Sequence, residues 1–303
     1  MDKSGLRGVR ASRTSVDYAI RIQRVVSYLA EHLDRPLTLN ELAHVACFSP
    51  YHFHRVYRAM RGETPQDTVR RLRLQRAAHE LLHCDVQIVR IASRAGYSSQ
   101  AAFARAFREE YGLPPARFKE HSRSNLESCS ELISRVSRKE PSAMNASDRK
   151  YEIEIITLPA IRLAAIAHIG DYQTISSAFE RLSVVAGPLG LFSGAKMYGL
   201  YYDDPSSVPT AQLRSAACLS ISESQSLPKG LLELQIEPGR YARVLHRGAY
   251  AELPLTYDYL YRVWLPSSGL VPRDAPCIEE YLNTPADVPV NELKTYVLLP
   301  LQD

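Results

Sequence analysis

The first half of the chain contains two copies of one sequence pattern, offset by about 50 residues. In each copy, apolar residues at helical spacing lead into a tight turn and then into a second helix, which is the plan of a helix-turn-helix unit. The recurring positions are Phe53, Arg55, Tyr57, Gly62 and Pro65 in the first copy and Phe103, Arg105, Phe107, Gly112 and Pro115 in the second. The duplication predicts an all-α N-terminal domain with two helix-turn-helix units.

Residue patterns typical of helix N-termini predict where the helices of this domain begin, and therefore how far apart the two units lie. Thr38 with Glu41, Ser49-Pro50 and Thr64-Pro65 each combine an N-cap residue with a favourable first turn. The helix that starts after Thr64 is expected to run to about His83, which makes it a rod roughly 28 Å long. Successive major-groove faces of a duplex are ~34 Å apart, so one chain could present both second helices to the same side of DNA.

The second helix of each copy has an apolar face and a polar or small-residue face. An arginine can form a bidentate contact with guanine, a glutamine can pair with adenine, and an alanine allows contact with a thymine methyl group. The alternative is that these polar faces are the ordinary solvent-exposed surface of a helical bundle. The arginines that recur at matching positions in the two copies argue against this alternative. The candidate DNA-binding residues are Tyr51, His52, His54, Arg55 and Arg58 in the first copy, and Gln100, Ala101, Arg105 and Arg108 in the second.

The charge distribution divides the chain into halves with different expected partners. The net charge is +4 overall, but residues 1–123 carry about +9 and residues 151–303 about −6. Phosphates of double-stranded DNA suit the basic half and are repelled by the acidic half. The five cysteines are scattered and no cofactor or metal motif is present, so no cofactor and no metal site is predicted. Without a long apolar run we expect no membrane span and no signal peptide, and therefore a cytoplasmic protein.

The sequence texture changes at Tyr151, where polar and apolar residues begin to alternate as in half-buried strands. Motifs recur here with an offset of about 80 residues: His168–Tyr172 matches His246–Tyr250. We predict an α+β C-terminal domain of two pseudo-symmetric strand-strand-helix-strand-strand repeats with a ligand pocket between them. Strand-like runs lie at 152–155, 163–168, 216–221, 232–236, 242–246 and 295–299, and helical stretches at 172–186 and 253–264. The predicted boundaries are a tail at 1–16, the DNA-binding domain at 17–121, a linker at 122–150 and the second domain at 151–303.

Tyrosines are concentrated in this second domain, which holds about two-thirds of the 18 in the chain and the only tryptophan. Aromatic faces beside a carboxylate are typical of a site for a lipophilic cation, since cation–π attraction contributes about 0.5–2 kcal/mol. The alternative for each tyrosine is a structural role without a ligand, at a strand or rim position of an ordinary sheet. If its segment is a strand, Glu280 points to the face opposite Glu279. The candidate ligand-binding residues are Tyr198, Tyr201, Tyr250, Tyr257, Trp264, Glu279 and Tyr281.

Both halves resemble known families. Residues 37–119 resemble the AraC/XylS-type DNA-binding domain, most specifically in the run from Ile88 to Gln100 and in Gly112–Phe118. This resemblance implies seven helices, of which the third and sixth enter successive major grooves. The base-facing positions then fall on Tyr51, His54, Arg55, Gln100, Ala101 and Arg105.

Residues 151–301 resemble a GyrI-like effector-binding domain in Tyr198–Pro205, His246–Tyr250 and Trp264–Pro266, and in Glu279 with Tyr281. The pocket glutamate of that family falls on Glu279, and the family binds hydrophobic and often cationic compounds. The combination is similar to the Rob type of regulator.

These features predict a sequence-specific transcription regulator that senses a hydrophobic or cationic small molecule through its C-terminal domain. It is expected not to be an enzyme and to have RNA polymerase as a further partner. Two alternatives remain open. In the first, the second domain is a small-molecule hydrolase with Glu279 as general base and a pocket tyrosine as acid. In the second, the protein is a nucleoid-type DNA binder whose second domain is vestigial.

Overall fold

The N-terminal part of the protein is helical throughout, as the sequence predicts. The computed structural model describes residues 3–124, Ile133 and residues 151–303. The helices of the first part are α1 (Lys3–Glu31), α2 (Leu39–Ala46), α3 (Pro50–Arg61), α4 (Pro65–His83), α5 (Ile88–Arg94), α6 (Gln100–Tyr111) and α7 (Pro115–Ser124). Helix α1 begins at Lys3, so residues 3–16 of the predicted tail form the first half of that helix.

The predicted helix boundaries are confirmed by hydrogen bonds at the helix ends. Ser49 caps α3 by accepting a hydrogen bond from the backbone N–H of Tyr51, and Gly62 ends α3 with a φ of 67°. Thr64 and Asp67 form a reciprocal capping box at the start of α4, which has the 19 residues expected of the rod between the two units. Short polar side chains thus set where the helices begin, and glycine supplies the left-handed residue after α3.

The C-terminal part contains one antiparallel sheet of eight strands, in the order β1-β6-β8-β7-β3-β4-β2-β5. If β1, β2, β3 and β4 are exchanged with β5, β6, β7 and β8, respectively, the same strand order is obtained read from the other edge. The centre of this symmetry lies between β3 and β7. The strands are β1 (Ile153–Leu158), β2 (Ile161–Ile169), β3 (Met197–Tyr201), β4 (Arg214–Ser220), β5 (Leu232–Ile236), β6 (Gly239–Arg247), β7 (Cys277–Tyr281) and β8 (Lys294–Pro300). The helices are α8 (Ser176–Ala186), α9 (Leu253–Tyr259), one π-helical turn (Leu260–Trp264) and α10 (Leu265–Ser268).

The two central strands β3 and β7 are absent from the strand-like runs that the sequence predicts. Neither shows a simple alternation of polar and apolar residues, because both of its faces are covered. Gly199 of β3 pairs with Glu279 of β7, and Tyr198 pairs with Glu280. Glu279 therefore lies on one face of the sheet and Glu280 on the other, as expected, and Glu280 forms an ion pair with Lys196 at 2.7 Å.

The two domains share a core at the first helix-turn-helix unit. Buried side chains of α1, α2 and α3 pack in one cluster with residues of β6, β8, α9 and α10. Tyr18 of α1 is fully buried there, and its hydroxyl donates to the carbonyl oxygen of Leu270 at 2.9 Å. The second unit has its own core around Phe103 and Phe107, which also includes Ile133. The rest of the predicted linker after Ser124 lies outside the described residues.

Within the described ranges, none of the helices has the length and apolar character needed to cross a membrane.

Candidate effector cavity and DNA-facing helices

A large cavity of about 1020 Å³ lies between the two domains. Its walls come from β3 and β7 at the centre of the sheet, from α8 and α9, and from α3 of the first helix-turn-helix unit. Small-molecule sites are commonly concave, mostly apolar and placed at domain boundaries. The cavity is large enough for a drug-sized compound.

Glu279 is the carboxylate at the centre of the cavity wall. Its side chain is only 4% exposed, and each of its oxygens accepts a hydrogen bond from a tyrosine: Tyr257 Oη to Oε1 and Tyr281 Oη to Oε2, both at 3.0 Å. Burial raises the pKa of Glu279 to about 7, although the hydrogen bonds from Tyr281 and Tyr257 and the charge of Arg55 oppose that increase. Burial thus makes ionisation of this carboxyl group unfavourable, and a cation placed beside it would stabilise the ionised form.

Aromatic rings surround this carboxyl group. The hydroxyl of Tyr201 lies 2.7 Å from that of Tyr281 and, since Tyr281 donates to Glu279, Tyr201 donates to Tyr281. The rings of Phe179 and Tyr250 meet the ring of Tyr281 edge to face, at 5.5 and 5.6 Å between centroids. Burial raises the pKa values of Tyr201, Tyr257 and Tyr281 well above 10, so these hydroxyls stay protonated and act as hydrogen-bond donors.

The structure brings five of the seven candidate ligand-binding residues together in the wall of the cavity: Tyr201, Tyr250, Tyr257, Glu279 and Tyr281. Tyr198 is not among the lining residues, because successive side chains of β3 point to opposite faces and Tyr198 packs in the core behind the sheet. Trp264 is not a lining residue either, and it packs against the core shared by the two domains.

Sequence reasoning missed three aromatic residues of the cavity wall, Tyr172, Phe179 and Tyr261. The internal repeat contains a signal for the first of these, because Tyr172 occupies the position in the first copy that Tyr250 occupies in the second. The other two lie on helices, where apolar spacing alone does not distinguish a cavity wall from a core.

The side of α3 that the sequence predicts to face DNA is not open to solvent, which corrects the expected exposure of three of its residues. His52 is 1% exposed, His54 is also buried, and the guanidinium of Arg55 lies inside the cavity. Tyr51 is half-buried, and Arg58 is exposed at the cavity rim. The reason is the packing of the C-terminal domain against α3, which patterns within one domain do not reveal.

His52 is held at this domain boundary by both ring nitrogens. Nε2 lies 3.0 Å from the carbonyl oxygen of Arg273, and Nδ1 lies 2.6 Å from the hydroxyl of Tyr261. A neutral ring with its proton on Nε2 satisfies both contacts, with Tyr261 donating to Nδ1. Burial, followed by the nearby charge of Arg55, lowers the pKa of His52 to about 3.

Helix α6 presents the predicted face to solvent. Gln100, Ala101, Arg105 and Arg108 are all exposed, and Phe103 and Phe107 are buried beneath them. The two matched arginines of the repeat thus have different surroundings: Arg105 is exposed, and Arg55 is enclosed by the second domain.

Across the described part of the chain, no three His, Cys, Asp or Glu side chains are grouped so that they could hold a metal ion.

Two family models match the chain. A model described as a GyrI-like small molecule binding domain matches residues 151–302, and a model described as a helix-turn-helix domain matches residues 42–121. The regulatory protein SoxS of Escherichia coli is 33% identical over 98 residues, which make up 32% of this chain and 92% of SoxS.

Two further relatives match parts of the chain. The probable transcriptional regulator YgiV of Escherichia coli is 28% identical over 155 residues, which make up 50% of this chain and 96% of YgiV. The uncharacterized HTH-type transcriptional regulator YbfP of Bacillus subtilis is 31% identical over 102 residues, which make up 34% of this chain and 35% of YbfP.

Proposed function

The chain belongs to the family with a GyrI-like small molecule binding domain, here preceded by an AraC-type helix-turn-helix domain, and we propose that it is a transcription regulator whose binding to specific DNA responds to a hydrophobic, cationic small molecule. The cavity between the domains is the proposed ligand site. The proposed DNA contacts are the exposed face of α6 and the face of α3 that carries Arg55, which the second domain covers in this structure. RNA polymerase is a further proposed partner, and the proposed compartment is the cytoplasm.

The buried Glu279 inside an aromatic cavity carries this proposal. A carboxyl group that is almost fully buried and held by two tyrosine hydroxyls is costly to ionise unless a positive charge is placed beside it. A lipophilic cation supplies that charge and covers the rings with apolar surface, and cation–π attraction adds about 0.5–2 kcal/mol.

Helix α6 supports the DNA-binding part of the proposal. Its exposed face has Gln100 near the helix start and Arg105 one and a half turns later, and these side-chain types read adenine and guanine in the major groove. The basic charge of residues 1–123 supplies attraction to the phosphates.

A selection from randomised DNA duplexes tests the proposal. We expect the protein to enrich one sequence, and we expect its affinity for that sequence to change when a panel of lipophilic cations is present. Equal binding to all duplexes would instead favour a nucleoid-type DNA binder. Specific binding that no compound in the panel alters would contradict the sensing role.

A further inference from the structure

Helix α3 meets the second domain through specific polar contacts as well as apolar packing. The hydroxyl of Ser49, at the start of α3, donates to Asp274 at 2.6 Å, and His52 bridges Tyr261 and the Arg273 carbonyl. These contacts involve the same face of α3 that would lie in the major groove. DNA and the C-terminal domain therefore cannot occupy this face at the same time.

Arg55 extends from this face into the effector cavity. Its guanidinium carbon lies 4.3 Å from the ring centroid of Tyr257 and 5.6 Å from that of Tyr261, so the cation rests on aromatic rings. Nη2 donates to the carbonyl oxygen of Asp203 at 3.3 Å. Nη1 is buried and has no hydrogen-bond partner among the described residues.

The surroundings of this guanidinium are those expected of a bound organic cation. Tyr257, which stacks on Arg55, is also the tyrosine that donates to Glu279, and Arg55 acts on the carboxyl group by lowering its pKa. Asp204 adds a second carboxyl group to the cavity wall, and its Oδ2 is likewise buried without a hydrogen-bond partner in the described ranges. A positive charge of the protein itself, the guanidinium of Arg55, thus lies in the acidic, aromatic part of the cavity.

We propose that Arg55 occupies the cation subsite of the effector cavity as an internal competitor, and that a lipophilic organic cation displaces it and releases α3 for DNA. This inference rests on the proposed function and specifies how the site is regulated. The closed arrangement holds Arg55 on Tyr257 and buries the DNA-facing side of α3. The ligand-bound arrangement places the ligand's charge on Tyr257 and leaves Arg55 free to contact a base.

A thermodynamic consequence follows from the competition. Because the cation and the DNA both favour the arrangement in which α3 is released, each must increase the affinity of the other by the same factor. The ligand shifts the equilibrium only by its preference for the released arrangement, and displacement of Arg55 supplies that preference.

The test uses the full-length protein and tetraphenylphosphonium, a cation whose charge is shielded by four phenyl rings, in the absence of DNA. We expect Arg55→Ala to bind this cation about 3- to 30-fold more tightly than the wild type, because the competing cation–π contact is gone. Arg105→Ala is the matched control, since Arg105 holds the equivalent position in the second unit and is exposed. Its affinity for the cation should be unchanged.

Hydrogen exchange on the wild-type protein provides a second measurement that needs no substitution. Saturating tetraphenylphosphonium should increase amide exchange in α3 and leave α6 unchanged. If the cation binds but Arg55→Ala has wild-type affinity and α3 keeps its protection, the displacement of Arg55 is wrong while the sensing role stands. If neither the wild type nor Arg55→Ala binds the cation, both the displacement and the cation-sensing role are wrong.

Discussion

At the scale of single residues, Glu279 is the buried carboxyl group on which the chemistry of the cavity depends. The resemblance places the pocket glutamate on Glu279, and the structure encloses that side chain between Tyr257 and Tyr281. Adjacent residues on the same strands have unrelated roles: Glu280 pairs with Lys196 on the other face, and Tyr198 lies in the core. Because successive side chains of a strand point to opposite faces of the sheet, neighbouring residues lie alternately in the cavity wall and in the core behind the sheet.

The raised pKa of Glu279 should make the proposed cation binding dependent on pH. The ionised form attracts the ligand, so the affinity for tetraphenylphosphonium should decrease as the pH falls from 8 to 6, approaching about tenfold per pH unit below pH 7. Calorimetric titrations at pH 6, 7 and 8 measure this slope. Glu279→Gln should bind the cation more weakly at pH 8 and show no such slope. Its affinity for neutral triphenylphosphine oxide should change little, and equal losses for both compounds would argue against a role for the charge.

Gly199 is required for the close approach of two tyrosines. A Cβ atom at this position would lie 2.8 Å from Cε2 of Tyr201 and 2.8 Å from Oη of Tyr281, which is too close for either ring to stay in place. We expect Gly199→Ala to displace the Tyr201–Tyr281 pair, weaken the hydrogen bond to Glu279 and lower the affinity for the cation severalfold. Affinity titration and circular dichroism on the same sample separate this effect from unfolding. Unchanged affinity in a folded variant would show that the pair does not shape the site.

At the scale of elements, the helices follow from local chemistry and the two central strands do not. Ser49, Gly62 and the Thr64–Asp67 capping box mark helix ends that can be identified in the sequence alone. Strands β3 and β7 are covered on both faces, so they lack the alternation that marks a half-buried strand. The sequence therefore predicts the rod between the two DNA-facing helices better than the sheet centre that holds the cavity.

Helix α6 is exposed and should read bases directly. Arg105→Ala should cost about 1–3 kcal/mol of binding free energy on the selected duplex and relax specificity at one base pair. Arg247→Ala, which removes an exposed arginine from the C-terminal domain, serves as the charge-matched control. Competition binding with the selected and scrambled duplexes measures both effects. An equal loss on both duplexes would indicate a phosphate contact rather than base readout.

At the scale of the whole molecule, the domain boundary determines which of the two proposed DNA-contacting helices is accessible. The core around α1, α2 and α3 continues into the second domain, while the core around α6 belongs to the N-terminal domain and Ile133. Sequence analysis treats the two units as equivalent because their patterns are equivalent. The difference arises from contacts between residues far apart in sequence, such as His52 with Tyr261, which are 209 positions apart.

The buried His52 should make this domain boundary sensitive to acid. Its pKa is lowered from 6.5 to about 3 while it is enclosed, so between these values the opened molecule takes up a proton that the closed one does not. The closed arrangement therefore loses stability as the pH falls, by about 1.4 kcal/mol per pH unit well below 6.5. Hydrogen exchange of α3, corrected for the intrinsic rate, should show less protection at pH 5.5 than at pH 7.5. His52→Gln should remove this dependence, and its persistence in that variant would assign it to another group.

The sequence by itself determined the local structure and the chemical character of each half: a duplicated helix-turn-helix pattern with its caps, a basic half and an acidic half, and a glutamate among tyrosines. These features depend on neighbouring residues and on composition, which can be read along the chain. Only the tertiary structure decided that Tyr201 lines the cavity and Tyr198 does not, and that Arg55 lies on Tyr257 while Arg105 faces solvent. The physical reason is that strand pairing and domain packing bring together residues far apart in sequence, and burial by those partners sets both access and ionisation.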